Sequence, residues 1–196
     1  MTIILDNITK QYDGRYALKD FNVEIEWDKC YAFVGPKGCG KSTVLKVFMG
    51  DVKPDSGQVH RMGDYKYPTL HSAYVSQEGR LNPKKSAIWN VKKAHRWGSK
   101  QRAMEELSFF MSEERMNLPV SELTMAERRE VEIVKAFFAS DDFIVFDEPF
   151  EGMDEKERKK ALEYIHKNRG SRPFLIASES EQDLEFAKII HMSAVS

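Results

Sequence analysis

Residues 35–43 read GPKGCGKST. The spacing is G-x-x-x-x-G-K-[ST], with Gly35, Gly40, Lys41 and Ser42 at its fixed positions. An apolar run, YAFVG (31–35), precedes it, and KSTVLKVFMG (41–50) follows with helical spacing and Gly50 near its end. A strand, a glycine-rich loop and a helix in that order suit a phosphate tail. The glycines let the backbone turn tightly, and loop and helix N–H groups then face the anion. The candidate contacts are Gly35, Pro36, Lys37, Gly38, Cys39, Gly40, Lys41, Ser42 and Thr43. Lys41 is expected to reach the β- and γ-phosphates, and the Ser42 hydroxyl to ligate Mg²⁺. A glycine-rich turn before an ordinary helix is the plainer reading, but residue types, spacing and context together favour a nucleotide. Cys39 reads as a variable loop position.

The second half of such a site is FIVFDEP (143–149), an apolar strand ending in two acids. Asp147 is placed to hold Mg²⁺ through water, and Glu148 to polarise an attacking water. A strand ending in solvated acids is the plainer alternative. AYVS (73–76) and PFLIAS (173–178) are also near-continuously apolar, as parallel strands covered on both faces are. TIILDNI and FNVEIEW roughly alternate and predict half-buried antiparallel strands. DEKERKKALEYIHKN predicts a helix, with Asp154 and Glu157 as a capping box and Ala161, Leu162 and Ile165 inward. From about 87 to 140 the pattern is helical; RAMEELSFFM puts Met104, Leu107 and Phe110 or Met111 on one side.

The bulk properties narrow the function classes. The 196 residues make one sizeable domain, 41% hydrophobic and 31% charged, which suits a soluble globular chain. A net charge of −1 gives no global field toward nucleic acid or anionic lipid. No apolar run approaches the ~20 residues that span a bilayer, and MTIILDNITK lacks the basic start of a signal peptide. Two cysteines make no disulfide framework, so the chain reads as cytosolic and reduced. No Cys/His cluster has metal-ligand spacing. The basic NVKKAHRWGSKQR (90–102), with Trp97, reads as a solvated helix face.

With these motifs placed, nearly the whole chain resembles ABC-type ATPase domains. ITKQYDGRYALKDFNVEI resembles their first hairpin, PDSGQV the segment after the phosphate-loop helix, and YVSQEGRLNP the Q-loop. DEPFEGMD resembles the run that ends at the D-loop, here Asp154. SQEGRLNP and Phe150 resemble importers for nitrate, sulfonates or taurine. The resemblance implies that Tyr12 stacks on adenine, although the pattern alone also fits a packed hairpin aromatic. It implies that Gln77 touches Mg²⁺ and senses a membrane subunit, and that the 90–102 region lies near that subunit. The implied fold is α/β: a P-loop NTPase core with a mainly parallel sheet and flanking helices, an N-terminal antiparallel β-subdomain and an inserted α-helical subdomain. As one domain, 1–196, it has 1–86 and 141–196 as core and about 87–140 as insertion.

The same alignment exposes two departures. SELTMAERRE (121–130) falls where the family has L-S-G-G-[QM], used in trans to cap the γ-phosphate held by an opposing subunit. Here Thr124, Met125, Ala126 and Glu127 take those places. Glycine permits close backbone approach to phosphate; Met125 and Ala126 add side chains. Thr124 and Glu127 strengthen the helix start as a capping box. A carboxylate about 5 Å from a γ-phosphate costs on the order of 3 kcal/mol at an effective dielectric of 20, less if Glu127 folds back onto its cap. The family histidine after the last strand is replaced by Ser178, or by Glu179 one residue on.

The resemblance therefore implies the ATP- and Mg²⁺-binding subunit of a membrane transporter. Its partners are a second ATPase subunit, in a homo- or heterodimer, and an integral membrane permease, with no nucleic acid. It is placed on the cytoplasmic side, peripheral to the membrane. Hydrolysis is expected to be weak in at least one composite site. A regulatory ATP-binding module with little turnover is the second reading, and a soluble P-loop phosphotransferase the third.

Overall fold

The computed structural model describes residues 2–62, 71–139 and 142–195. The strands expected to alternate pair antiparallel: β1 (Thr2–Tyr12) runs against β2 (Arg15–Glu26), from Thr2 opposite Glu26 to Tyr12 opposite Arg15. Their inward positions, Ile3, Leu5, Ile8, Leu18 and Ile25, are buried. On the other edge of β1 lies β4 (Ser56–Met62), giving a three-stranded sheet in the order β2-β1-β4.

The apolar runs form the second sheet. Every residue of β3 (Cys30–Val34), β6 (Phe143–Asp147) and β7 (Phe174–Ser178) is buried, so these strands need no polar alternation. With β5 (Ser72–Val75) and β8 (Lys188–His191) the strand order is β5-β6-β7-β3-β8. β3 is parallel to β7, from Cys30 opposite Phe174 to Val34 opposite Ser178, and parallel to β8.

Two strands went unread in the sequence, β4 and β8. SGQVHRM has one β-branched residue, and KIIH is four residues long with exposed ends. Both are strands because an edge is available for their backbone groups, a tertiary cause that local propensity does not carry.

The chain divides into two compact units. The first is Met1–Ser72, Val145–Asp147 and Ser171–Ser196; the second is Ala73–Ile144 and Glu148–Gly170. The first holds the antiparallel sheet, β3, β7, β8 and helix α1 (Lys41–Met49). The second holds α2 (Ala87–Lys92), α3 (Lys100–Leu107), α4 (Glu113–Asn117), α5 (Met125–Phe138) and α6 (Glu155–Arg169). It takes in β5 from Ala73 onward and α6 as well as the helical stretch, and the boundary expected at 140–141 lies outside the described residues.

Within the second unit, Tyr164 of α6 is surrounded by Phe109, Phe110 and Phe137, with ring centroids 5.0–5.7 Å away. Its hydroxyl donates to Glu106 at 2.7 Å, so the buried phenol keeps a partner. Asp154 and Glu157 form the expected capping box of α6, and Ala161, Leu162 and Ile165 are buried. Helix α3 stops at Leu107, earlier than the apolar spacing suggested. Ala103 and Leu107 are buried in it, Met104 only half-buried, and Phe110 and Met111 reach the core from the turn beyond.

One buried acid is out of place in this core. Glu130 of α5 is 5% exposed, and burial pushes its carboxyl up to about 7, against the opposing pull of Lys160. The neighbouring charges of Glu157 and Glu127 push it the same way as burial. A carboxyl raised in the folded state binds more protons than its unfolded counterpart between about 4.5 and 7, so stability falls as pH rises through that window. Glu130→Gln is expected to flatten this decline by about 2 kcal/mol after allowance for solvent screening. Urea unfolding at pH 5 and pH 8 measures it; an unchanged slope contradicts the assignment.

Candidate nucleotide site

In the first unit the loop from Gly35 to Gly40 joins buried β3 to α1. Gly35 N–H donates to Ser178 O at 3.2 Å, and Cys39 N–H to Pro36 O at 3.2 Å. Two glycines are fixed by crowding. A β-carbon on Gly35 would lie 2.1 Å from Met192 O, and one on Gly40, whose φ is +97°, 2.2 Å from Ala17 O. Gly38 (φ +84°) instead faces open space, as do Pro36 and Lys37. The loop is thus gripped at both ends and open at its tip.

What the loop leads into decides its chemistry. Helices α2, α3, α4, α5 and α6 begin on Ser86, Ser99, Ser112, Thr124 and Asp154, whose side chains each accept from the third helical residue. Helix α1 begins on Gly40, with no side-chain cap and no acid in its first turn. Its first N–H groups carry the positive end of the helix dipole toward the loop mouth.

Three side chains complete this unit's site. Lys41, 6% exposed, turns back to donate to Gly35 O at 2.7 Å and Pro36 O at 3.2 Å. Ser42 Oγ donates to Asp147 Oδ1 at 3.0 Å, and Asp147 is 2% exposed. A hydroxyl and a carboxylate held this close are two hard oxygen donors, the set Mg²⁺ takes, so the residues fit that ion. Thr43 is buried in the first turn. Tyr12 ends β1, 45% exposed, with the Lys10 ammonium 5.6 Å from its ring centroid. Its neighbour strand β2 meets the loop at Ala17. Ser178, buried at the end of β7, accepts from Ser180 N–H through its hydroxyl at 3.2 Å.

The second unit holds the other candidates. Glu148 has φ +49°, a left-handed conformation uncommon for a non-glycine residue and frequent at functional turns. Glu151 N–H returns to Glu148 O at 3.3 Å, and Phe150 is buried under the Arg158 guanidinium. Asp154 is engaged as the α6 cap. Gln77 is half-buried, and its carbonyl accepts from the Arg129 guanidinium.

At the start of α5 the chain occupies its own helix end. Thr124 Oγ1 accepts from Glu127 N–H at 3.1 Å, and Glu127 accepts from Thr124 N–H at 2.8 Å. Glu127 also receives both arms of the Arg115 guanidinium, one at 2.7 Å through Nε. The Arg115 hydrogen bond, outweighing partial burial, holds the Glu127 carboxyl below its ordinary range. Met125 is 50% exposed, its sulfur 2.7 Å from where a β-carbon on Gly152 would lie, and Ala126 is buried.

Arg129 and Glu132 were not singled out from sequence, although their i, i+3 spacing on a predicted helix was visible. Arg129 Nη1 donates to Ser76 O at 2.8 Å and to Glu132 at 2.9 Å; Nη2 lies 3.5 Å from Glu151. Glu132 accepts from Arg80 N–H at 2.7 Å. One buried ion pair thus ties the Gln77 loop to α5 and to the turn after Glu148. Removing one partner strands a buried charge, so Arg129→Met is expected to cost about 3–5 kcal/mol. Arg129→Met with Glu132→Leu should recover most of it in urea unfolding. A double variant no better than the single one contradicts this reading.

The comparisons bear on the whole arrangement. Residues 18–151 match the family described as ABC transporter. The chain is 28% identical over 195 residues to the spermidine/putrescine import ATP-binding protein PotA of Fusobacterium nucleatum, covering 92% of this chain and 52% of that protein. It is 30% identical over 207 residues to the sulfate/thiosulfate import ATP-binding protein CysA of Synechocystis, covering 98% and 58%. It therefore spans little more than half the length of these curated relatives. In fold it is similar to the dimeric ATP-binding cassette MJ0796 bound to ADP and Pi, with a TM-score of 0.84 at 23% identity over 97% of this chain and 94% of that one. With the strand–loop–helix, its uncapped helix end and a match over two thirds of its length, the chain belongs to the ABC transporter family.

Proposed function

We propose that this chain is the ATP-binding and ATP-hydrolysing subunit of a membrane transporter, working as one domain over residues 1–196, with 1–86 and 141–196 as core and about 87–140 as helical insertion. The observation that carries this is the uncapped start of α1 behind a glycine loop, beside the Ser42–Asp147 pair. In this reading the loop N–H groups from Gly35 to Thr43 hold the phosphate tail. Lys41 leaves the Gly35 and Pro36 carbonyls to reach the β- and γ-phosphates, and Tyr12 stacks on the adenine. Ser42, Asp147 and Gln77 hold Mg²⁺, which supplies charge neutralisation on the phosphates when bound. Glu148 orients and polarises the attacking water. Asp154 takes the D-loop place, and Ser178 the place after the last core strand. Ser178 has no ring nitrogen to donate to a phosphate.

The partners in this reading are a second ATPase subunit and an integral membrane permease, at the cytoplasmic face of the membrane. The names of the similar import proteins support an importer. Among the described residues no helix is long and apolar enough to cross a membrane.

The start of α5 supports weak turnover in at least one composite site. Its capping box, the Arg115–Glu127 fork and Met125 against Gly152 engage the helix end within the chain. The same contacts favour a second reading, a regulatory module that closes on ATP and hardly turns it over. Steady-state ATPase of the purified chain and its Glu148→Gln variant separates the two. The transporter-subunit reading predicts turnover well under about 10 s⁻¹, falling by about 10²-fold or more in the variant. Turnover at or above that rate contradicts the weak site; a slow rate insensitive to Glu148→Gln supports the module.

A further inference from the structure

Tyr12 closes β1 at the tip of a two-stranded ribbon, where Asp13 (φ +49°) and Gly14 (φ +75°) turn the chain into β2. Burial does little to hold a ring this exposed, so its place depends on the backbone of residues 9–11. That backbone is irregular: the register against β2 shifts between Ile8 and Lys10 and again between Lys10 and Gln11. On the other edge, the pairing with β4 ends at Ser56 opposite Thr9, short of Gln11. Asp55, the residue before β4, takes over where this ladder stops. Its N–H donates to Thr9 O at 2.9 Å. Its Oδ2 accepts from Gln11 N–H at 2.7 Å, and its Oδ1 from the Lys10 ammonium at 2.7 Å. One residue thus binds the three consecutive residues that lead into Tyr12, and all five belong to the first compact unit.

The contacts also reach the ring. The Lys10 ammonium that Asp55 holds lies 5.6 Å from the Tyr12 centroid, in the range of a cation–π contact. The Lys10 hydrogen bond first, and the Gln11 N–H after it, hold the Asp55 carboxyl below its ordinary range. A carboxylate that merely ended the ladder would need the Gln11 N–H alone; the link through Lys10 to the ring is what a positioning role adds. We propose that Asp55 is a positioning residue for the nucleotide base: it fixes the ribbon tip and the Lys10 ammonium so that Tyr12 presents its ring to adenine. This rests on the reading of Tyr12 as the stacking ring and deepens it. In this assignment Asp55 touches neither base nor phosphate and acts through Tyr12.

The test is calorimetric titration of the full chain with Mg·ATP and with Mg·tripolyphosphate, which has a phosphate tail and no base. Asp55→Ala should weaken Mg·ATP binding by about fivefold or more, the low end of what one base–aromatic stack contributes, and leave tripolyphosphate binding within about twofold. Tyr12→Ala should show the same pattern, and Tyr12→Ala with Asp55→Ala should bind Mg·ATP no more weakly than Tyr12→Ala alone. Circular dichroism checks that the variants fold. If Asp55→Ala does not, Asp55→Asn, which keeps an oxygen for the Gln11 N–H, should show a smaller loss again confined to Mg·ATP. A loss with Tyr12→Ala but none with the Asp55 variant overturns the proposal and leaves the stacking ring standing. Equal weakening of both ligands, or losses that add in the double variant, overturns it as well, because Asp55 then acts on the fold or the phosphate site. No loss with Tyr12→Ala removes the stacking ring itself, and the proposal with it.

Discussion

The structure turns on a helix start that its N-terminal residue, Gly40, does not cap. Gly40 places α1 behind the loop in a left-handed conformation that no side chain would share comfortably, and a β-carbon there would run into Ala17 O. The consequence is a first turn that receives no side-chain cap from the residue before it. Gly35, crowded by Met192 O, fixes the other end of the loop. Two close approaches, from β2 and from the segment after β8, thus hold a loop whose tip is open. The anion-binding character follows from this geometry more than from any single side chain.

The start of α5 is the opposite solution to the same problem. It too is a helix start, in the segment where the resemblance implies a phosphate contact, but here the Thr124 and Glu127 N–H groups have side-chain partners within the chain. Thr124 and Glu127 exchange bonds, and Arg115 neutralises the carboxylate that an opposing phosphate would otherwise meet. The electrostatic penalty expected from Glu127 is therefore absorbed before any nucleotide arrives. What remains is steric, in the side chains of Met125 and Ala126.

Much of this was legible in the sequence because it is local. The phosphate loop, the acids ending β6, the capping boxes at Thr124 and Asp154 and the fully apolar strands all rest on spacings of a few residues. The parts that were not legible are set by tertiary contacts. Arg115 meets Glu127 from twelve residues away, and nothing in either neighbourhood announces it. β4 and β8 are strands because sheet edges await them. The crowding that demands glycine at position 35 comes from Met192, near the far end of the chain.

The central claim is that the uncapped first turn of α1 and the loop before it bind the phosphates of a nucleotide. Hydrogen exchange of the backbone amides from Lys37 to Thr43, with and without Mg·ATP, addresses it directly, using Lys41→Ala as the control. The account predicts marked slowing of exchange in this segment on adding millimolar Mg·ATP, and little or none in the variant. Exchange unchanged by nucleotide in the unaltered chain, or slowed equally in both, contradicts it.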